Sequence, residues 1–241
     1  MIEAHALSKS FGLFRAVDSV DLVAHNGAIT GLLGGNGAGK TSTFRMILGL
    51  SKPDTGTVRI DGIDPFLDPE RARRSLGVLS DARGLYAKLT TREHIVYFGE
   101  LHGMSLGAID ARIRELDAIF QMSSILDREV SGFSQGERVK VALARTLVHD
   151  PPNVILDEPT NGLDIWGVRA VRELLAKLRE LGKCVVFSSH VMPEVEALCD
   201  SVVVLSKGRV LGCGTSQEIK ERTRTNSIEE AFVSLVEGQS P

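Results

Sequence analysis

The sequence has few of the features that mark membrane-spanning, secreted or nucleic-acid-binding chains. Its longest apolar runs, such as 202–205, fall far short of the roughly 20 residues that a membrane-spanning helix needs. The net charge of −3 over 241 residues leaves no general basic field to attract nucleic acid or an acidic membrane face. The three cysteines have no C-x-x-C spacing, so we expect reduced thiols. No signal peptide precedes the first strand-like segment, and we therefore expect a soluble intracellular protein.

What the chain does contain is enough apolar sequence for a substantial core. Apolar residues make up 43% of the chain, which suits one large α/β domain or two small ones. Short strand-like runs alternate with helical segments, and this alternation predicts a mainly parallel sheet. The runs predicted as strands are Ile2–Leu7, Val17–Val23, Ile29–Leu33, Val58–Ile60, Leu76–Leu79, Val154–Leu156, Cys184–Phe187 and Val202–Leu205.

Residues from about 83 to 148 have a different, mostly helical pattern. Thr90 and Glu93 fit a capping box that starts one helix. A second helix is indicated by apolar residues at helical spacing, namely Ile109, Ile113, Leu116 and Phe120. We therefore predict a single domain over 1–241, in which a helical insertion at 83–148 interrupts an α/β core formed by 1–82 and 149–241.

A glycine-rich octet at residues 34–41 is the most informative feature of the chain. It fits the pattern G-x-x-x-x-G-K-[ST], follows a predicted strand and runs into a helical segment. In such a loop the backbone N–H groups can curl around a phosphate, and the helix N-terminus adds its positive dipole end. Lys40 would reach the β- and γ-phosphates, and the Thr41 hydroxyl would hold Mg²⁺. The octet therefore predicts binding of a nucleoside triphosphate.

Two adjacent carboxylates follow another predicted strand, at Asp157 and Glu158. The carboxyl edge of a parallel sheet is where nucleotides bind in such folds. Asp157 is placed to hold Mg²⁺, and Glu158 is placed to polarise a water molecule against the γ-phosphate. Downstream of a phosphate-binding loop, the pair predicts nucleotide hydrolysis.

The segment that begins at Phe133 contains a second candidate anion site. Ser134 and Glu137 fit another capping box, which by itself accounts for a helix start. A helix N-terminus that exposes Ser134 and Gly136 is also suited to an anion. It would suit the γ-phosphate of a nucleotide that another subunit holds.

The ordered set of these motifs resembles the ATP-binding subunit of ABC transporters. The set comprises the glycine octet, Ser134-x-Gly136, Asp157-Glu158, Leu163-Asp164 and Ser188-Ser189-His190, and the resemblance covers residues 1 to about 237. Within the family, the chain resembles the export branch that includes NatA-type sodium exporters. The segments that carry this closer resemblance are 80–86, 88–93 and 227–236.

The resemblance implies an α/β fold with a P-loop NTPase core, a mainly parallel sheet, an N-terminal antiparallel β subdomain and an inserted helical subdomain. It also implies ATP and Mg²⁺ as ligands, with Phe11 stacking on adenine. Glu158 and His190 would be catalytic, and Thr41, Asp81 and Asp157 would serve the metal. The residues expected to contact the nucleotide are Phe11, Gly34, Gly35, Asn36, Gly37, Ala38, Gly39, Lys40, Thr41, Ser42, Ser134, Gln135, Gly136 and Asp164.

The implied partners are transmembrane permease subunits and a second ATPase subunit packed head-to-tail, either a second copy or a paralogue. Nucleic acid is not expected. The chain would then be a cytoplasmic subunit held at the inner face of the cell membrane by its permease, with the helical insertion receiving the permease's coupling helices.

Four positions depart from the usual motifs of the family. Gly35 replaces a proline and keeps every N–H of the loop. Gln135 and Glu137 stand in a signature that usually reads Leu-Ser-Gly-Gly-Gln. Asp81 stands where a glutamine is usual, and we expect it to keep a metal-sensing role.

Two other classes of protein share parts of this pattern. A soluble ABC ATPase acting on nucleic acid or ribosomes usually has a second cassette, long arms or a basic face, for which this chain has no room. A different P-loop enzyme is the other alternative. A GTPase would carry an N-K-x-D guanine-recognition motif, which is absent from the sequence, and a kinase would not need Ser134-x-Gly136.

Overall fold

The computed structural model describes residues 1–80 and 84–238, and it has the predicted α/β architecture. Two sheets are present in the described residues, one antiparallel with three strands and one mainly parallel with six. Helices cover the larger sheet. The predicted fold class is confirmed.

The antiparallel sheet comes from the first 60 residues. It consists of β1 (Ile2–Phe11), β2 (Phe14–Ala24) and β4 (Thr55–Ile60), in the order β2-β1-β4. β1 and β2 are longer than predicted, because the two strands continue to a hairpin at the pair Phe11–Phe14. Side chains at this hairpin tip are exposed, so the tip has no apolar alternation that would have revealed it.

The larger sheet places the ends of three strands side by side. Its order is β5-β6-β7-β3-β8-β9, and every neighbouring pair is parallel except β8 with β9. The carboxyl ends of β6, β7 and β3 are therefore adjacent. The strands are β3 (Ala28–Leu33), β5 (Leu76–Leu79), β6 (Asn153–Asp157), β7 (Cys184–Ser189), β8 (Ser201–Ser206) and β9 (Arg209–Gly214).

Nine α-helices lie in the described residues. The capping box at Thr90 is confirmed at the start of α3, and the side chain of Asp164 caps α6. A short 3₁₀ turn spans Val130–Gly132. The helices are α1 (Lys40–Ile47), α2 (Pro69–Arg74), α3 (Thr91–Leu101), α4 (Leu106–Phe120), α5 (Gln135–Leu147), α6 (Ile165–Glu180), α7 (Met192–Leu198), α8 (Ser216–Thr223) and α9 (Ile228–Glu237).

The parallel sheet is buried on both faces, and each face has its own core. Successive residues of β7 alternate between the two, with Val185 and Phe187 in one cluster and Val186 in the other. The first cluster joins the sheet to α3–α6, and the second joins it to the antiparallel sheet and α1. Burial of both faces explains why these strands read as continuous apolar runs. None of the helices in the described ranges combines the length and the hydropathy needed to cross a bilayer.

Candidate nucleotide-binding and catalytic site

A cleft of about 470 Å³ lies at the carboxyl edge of β3 and β6, where the predicted site residues converge. Clefts of this size are typical of small-molecule sites. Of the nucleotide contacts predicted in the glycine loop and the β1–β2 hairpin, Phe11 and Gly34 lie outside the lining of this cleft. The lining residues are Phe14, Ala16, Gly35, Asn36, Gly37, Ala38, Gly39, Lys40, Thr41, Ser42, Asp157, Glu158, Asn161 and His190.

The glycines of the octet serve two different purposes. A Cβ on Gly34 would lie 2.6 Å from the carbonyl oxygen of Leu205, so this position permits close packing of the loop on β8. Gly35 and Gly37 face open space, which leaves room for a ligand against the backbone. Gly39 precedes α1 with φ 105°, and among the described residues no side chain caps that helix. The N–H groups at the start of α1 are therefore available to a phosphate.

Lys40 is buried beneath this loop. Its ammonium donates to the carbonyl oxygen of Gly34 at 2.7 Å and lies 3.1 Å from Oε1 of Glu158. Only 7% of its side chain is exposed. The Lys40 ammonium lies close to the N-terminus of α1, where a phosphate would bind. It is therefore placed to exchange the Glu158 carboxylate for phosphate oxygens.

The two carboxylates at the end of β6 are held by the neighbouring strand. Asp157 pairs with Ser188 of β7 in the parallel ladder. The Ser188 hydroxyl donates to Oδ1 of Asp157 at 2.6 Å and accepts from the N–H of Glu158 at 2.9 Å. Ser188 is fully buried, so little water competes for its hydroxyl. One hydroxyl thus fixes both acids, a role that the sequence analysis missed.

Glu158 lies between Lys40 of the glycine loop and His190, the second residue predicted to be catalytic. Its φ of 50° is in the left-handed region, which turns the chain sharply at the strand end. Oε2 of Glu158 lies 2.8 Å from Nδ1 of His190, while Oε1 faces Lys40. The structure therefore brings together three residues that are far apart in sequence.

The residues present fit a hydrated Mg²⁺ ion. The Thr41 hydroxyl lies 3.4 Å from Oδ2 of Asp157, which puts a hydroxyl and a carboxylate oxygen at one point of the cleft. Among the described residues no group of three or more His, Cys, Asp or Glu side chains is arranged to hold a metal. Mg²⁺ is characteristically bound by one or two protein oxygens together with water and substrate phosphates. Asp81, the third predicted metal residue, lies outside the described residues.

Two aromatic residues stand at the β1–β2 hairpin. Phe14 lines the cleft, whereas Phe11 faces Lys9, whose ammonium lies 5.9 Å from the ring centroid. Both rings are more than half exposed. Stacking of Phe11 on adenine stays a prediction, and Phe14 is an aromatic of the cleft that the sequence analysis did not single out.

Residues of the predicted signature line a second cleft, of about 250 Å³, and no residue that the structure describes belongs to both clefts. Ser134, Gly136 and Asp164 all line it, together with Trp166. Ser134 and Glu137 form both bonds of the predicted capping box at the start of α5. The N–H of Ser134 donates to the Glu137 carboxylate and lowers the pKa of that group. Gln135 lies outside this lining, beside Gly162.

Comparison with known proteins agrees with this geometry. The model of the ABC transporter family matches residues 17–161. The Bacillus subtilis ABC transporter ATP-binding protein NatA is 42% identical, over 94% of this chain and 93% of its own length. The chain belongs to the ABC transporter family.

Two further relatives support the assignment to the ATP-binding subunits of ABC transporters. The Nod factor export ATP-binding protein I of Paraburkholderia xenovorans is 38% identical over 88% of this chain and 70% of its own length. A solved structure described as the ATP binding subunit of an ABC transporter superposes with a TM-score of 0.90 and 31% identity, over 98% of this chain and 99% of that one. The resemblance to an ABC ATP-binding subunit is thereby confirmed, and membership of the family implies ATP binding and ATPase activity.

Replacement of Ser188 by Ala tests the bridge between the two acids of this ABC subunit. It leaves Oδ1 of Asp157 and the N–H of Glu158 without their buried partner, and an unsatisfied buried group costs about 1–3 kcal/mol. We expect the free energy of unfolding to fall by about that amount and ATP turnover to fall about tenfold. Denaturant titration and steady-state ATPase assays measure the two effects. Ser201→Ala, which removes a hydroxyl bonded to Thr30, is the control. Equal ATP turnover in the two variants would contradict the role of Ser188 as a bridge between Asp157 and Glu158.

Proposed function

We propose that this chain is the ATP-hydrolysing subunit of an ABC exporter. It drives transport through separate membrane permease subunits, using ATP-dependent closure of a head-to-tail pair of ATPase subunits. It works on the cytoplasmic side, at the inner face of the cell membrane, where the permease holds it.

The observation that carries this proposal is the position of Glu158 between Lys40 and His190. Glu158 acts as the general base, because its carboxylate can accept a proton from the water that attacks the γ-phosphate. His190 holds the other side of that carboxylate and is half exposed, so it can also reach the water and the phosphate. Lys40 neutralises phosphate charge once it turns from Glu158 to the nucleotide, and this exchange frees Oε1 for the proton.

The remaining residues of the cleft hold the substrate. Glycine-loop N–H groups and the start of α1 take the phosphates, and Phe11 stacks on adenine. Thr41 and Asp157 would hold Mg²⁺, which would neutralise phosphate charge when bound. Ser188 keeps Asp157 in place for this task.

A second subunit is needed because the signature lies apart from the cleft of its own chain. Ser134, Gly136 and Asp164 line a separate cavity, and within 1–80 and 84–238 no residue belongs to both linings. In a head-to-tail pair, Ser134 and the start of α5 of one subunit would close over the γ-phosphate held by the other. Two ATP molecules would then lie between two subunits. The separation of the two clefts supports this arrangement.

The permease would dock on the helical insertion at 83–148. The relatives named above carry ATP-binding or export in their descriptions, which supports a division of labour between this chain and membrane subunits. The net charge of −3 favours this reading over a role on nucleic acid or ribosomes.

The dimer is tested with Glu158→Gln protein, which should bind ATP without hydrolysing it. Light scattering after gel filtration should show a monomer without ATP and a dimer with ATP and Mg²⁺. Addition of Gly136→Asp to this variant should abolish the dimer while ATP still binds, because a carboxylate at the start of α5 repels the γ-phosphate. A Cβ at Gly136 meets open space, so the fold should tolerate the change. A dimer that persists in the double variant would refute the proposed role of the signature.

A further inference from the structure

The segments that carry Glu158 and His190 run side by side and make a series of paired contacts. At the sheet edge, Ser188 bonds Asp157 and the N–H of Glu158. The next contact is the one between Glu158 and His190, at 2.8 Å. Beyond it, the Thr160 hydroxyl donates to Oε2 of Glu194 in the first turn of α7, at 2.7 Å. Contacts on both sides therefore flank the pair that we assign to hydrolysis.

The Thr160–Glu194 pair is buried, in contrast to the contact that it flanks. Thr160 is 8% exposed and Glu194 is 4% exposed, while the side chain of His190 is 48% exposed. A hydrogen bond to a carboxylate in a dry environment is strong and geometrically demanding. The exposed His190 can also form hydrogen bonds with water. Its own surroundings therefore do not fix the position of its ring.

Burial of the Glu194 carboxylate costs free energy unless a hydrogen-bond donor replaces the water that it loses. A carboxylate is rarely taken out of water without compensation, and in the described part of the chain its hydrogen-bond partner is the Thr160 hydroxyl. The start of α7 adds the positive end of its dipole. The hydrogen bond between Thr160 and Glu194 therefore ties the segment after β6 to the start of α7.

We propose that Thr160 and Glu194 form a latch that positions the catalytic pair. Thr160 is two residues after Glu158, and Glu194 is four residues after His190, so the latch sets the distance between the loop carrying the base and the loop carrying the histidine. It also restrains the segment that leads to Asp164, because the carbonyl oxygen of Thr160 accepts from the N–H of Leu163. Thr160 and Glu194 are positioning residues: neither lines the nucleotide cleft. The inference rests on the proposed role of Glu158.

Thr160→Val tests the latch, because it keeps the shape of the side chain and removes the hydroxyl. A displacement of about 1 Å at a reacting group can lower turnover by up to about 10²-fold. We therefore expect kcat for ATP to fall about 10- to 100-fold, while KM and the affinity for a non-hydrolysable ATP analogue stay within about twofold, since the cleft lining is unchanged. Thr160→Ser, which keeps the hydroxyl, should restore most of kcat.

Thr30→Val is the matched control. It removes another buried threonine hydroxyl, bonded to Ser201 between β3 and β8, and should lower stability without a comparable loss of kcat. Glu194→Gln keeps an oxygen that can accept from Thr160 and should lose less kcat than Thr160→Val. Combined with Thr160→Val, it should add little further loss, because both changes act on one bond.

Three results would overturn the latch. They are an unchanged kcat in Thr160→Val, equal losses in Thr160→Val and Thr160→Ser, and a loss of ATP affinity as large as the loss of kcat. If Thr160→Val does not fold, the serine and glutamine variants decide, and a tenfold loss in Thr160→Ser refutes the proposal. Normal turnover in Glu158→Gln would refute the role of Glu158 itself, whereas normal turnover in Thr160→Val beside an inactive Glu158→Gln refutes the latch alone.

Discussion

Glu158→Gln is expected to retain ATP binding and to lose turnover by about 10²- to 10⁴-fold, the usual contribution of a general base. Glutamine keeps the size of the side chain and its contact with His190, but its amide cannot accept the proton of the attacking water. ATP affinity should be at least as high as in the parent chain, because the change removes the carboxylate that competes with phosphate for Lys40. Single-turnover hydrolysis and equilibrium binding of ATP measure the two effects separately.

A control for Glu158→Gln is the same chemical change on an exposed helix. Glu173 lies on α6, where its carboxylate pairs with Arg169 at the surface. Glu173→Gln should leave both turnover and binding unchanged, since exposed ion pairs contribute little. If Glu158→Gln hydrolyses ATP at the rate of this control, Glu158 is not the base.

Lys40→Ala is expected to lower the affinity for ATP by about 10- to 100-fold, because it removes a charge-assisted hydrogen bond to the phosphates. The change removes the buried cation at the loop, together with its bonds to the Gly34 carbonyl and to Glu158. Isothermal titration with ATP and Mg²⁺ measures the affinity. Turnover at limiting ATP should fall at least in proportion.

Lys177 supplies the matched control for Lys40. It is half exposed on α6 and pairs with Glu180 at 3.4 Å. Lys177→Ala should bind ATP as the parent chain does. An affinity that is equal in Lys40→Ala and Lys177→Ala would show that the ammonium of Lys40 does not contact the phosphates.

The parts of the fold that follow from local physics could be predicted from the sequence. Apolar runs bounded by turns located the strands of the parallel sheet, because such strands are buried on both faces. The capping boxes at Thr90 and Ser134 gave two helix starts correctly, since both partners of each box lie within four residues. Prediction failed at the β1–β2 hairpin tip and at the strand β9, whose exposed or small residues carry little apolar pattern.

The site could be predicted only where its residues belong to local motifs. The glycine loop and the acid pair meet in one cleft as the sequence analysis expected. Ser188 and the Thr160–Glu194 pair could not be foreseen, because their contacts depend on the register of β6 against β7 and on the packing of α7. Phe14 was missed for a related reason: which of two hairpin aromatics turns towards the cleft depends on the strand twist.

Above all, we propose that this chain hydrolyses ATP on behalf of a membrane partner. The most direct measurement is affinity purification of tagged Glu158→Gln protein from detergent-solubilised native membranes with ATP and Mg²⁺, with Lys40→Ala as the non-binding control and mass spectrometry of the partners. We expect a polytopic membrane protein to be retained in stoichiometric amount with ATP, and to be recovered in smaller amount with Lys40→Ala. Recovery of ribosomal or nucleic-acid-bound proteins in its place would refute a role at a membrane permease.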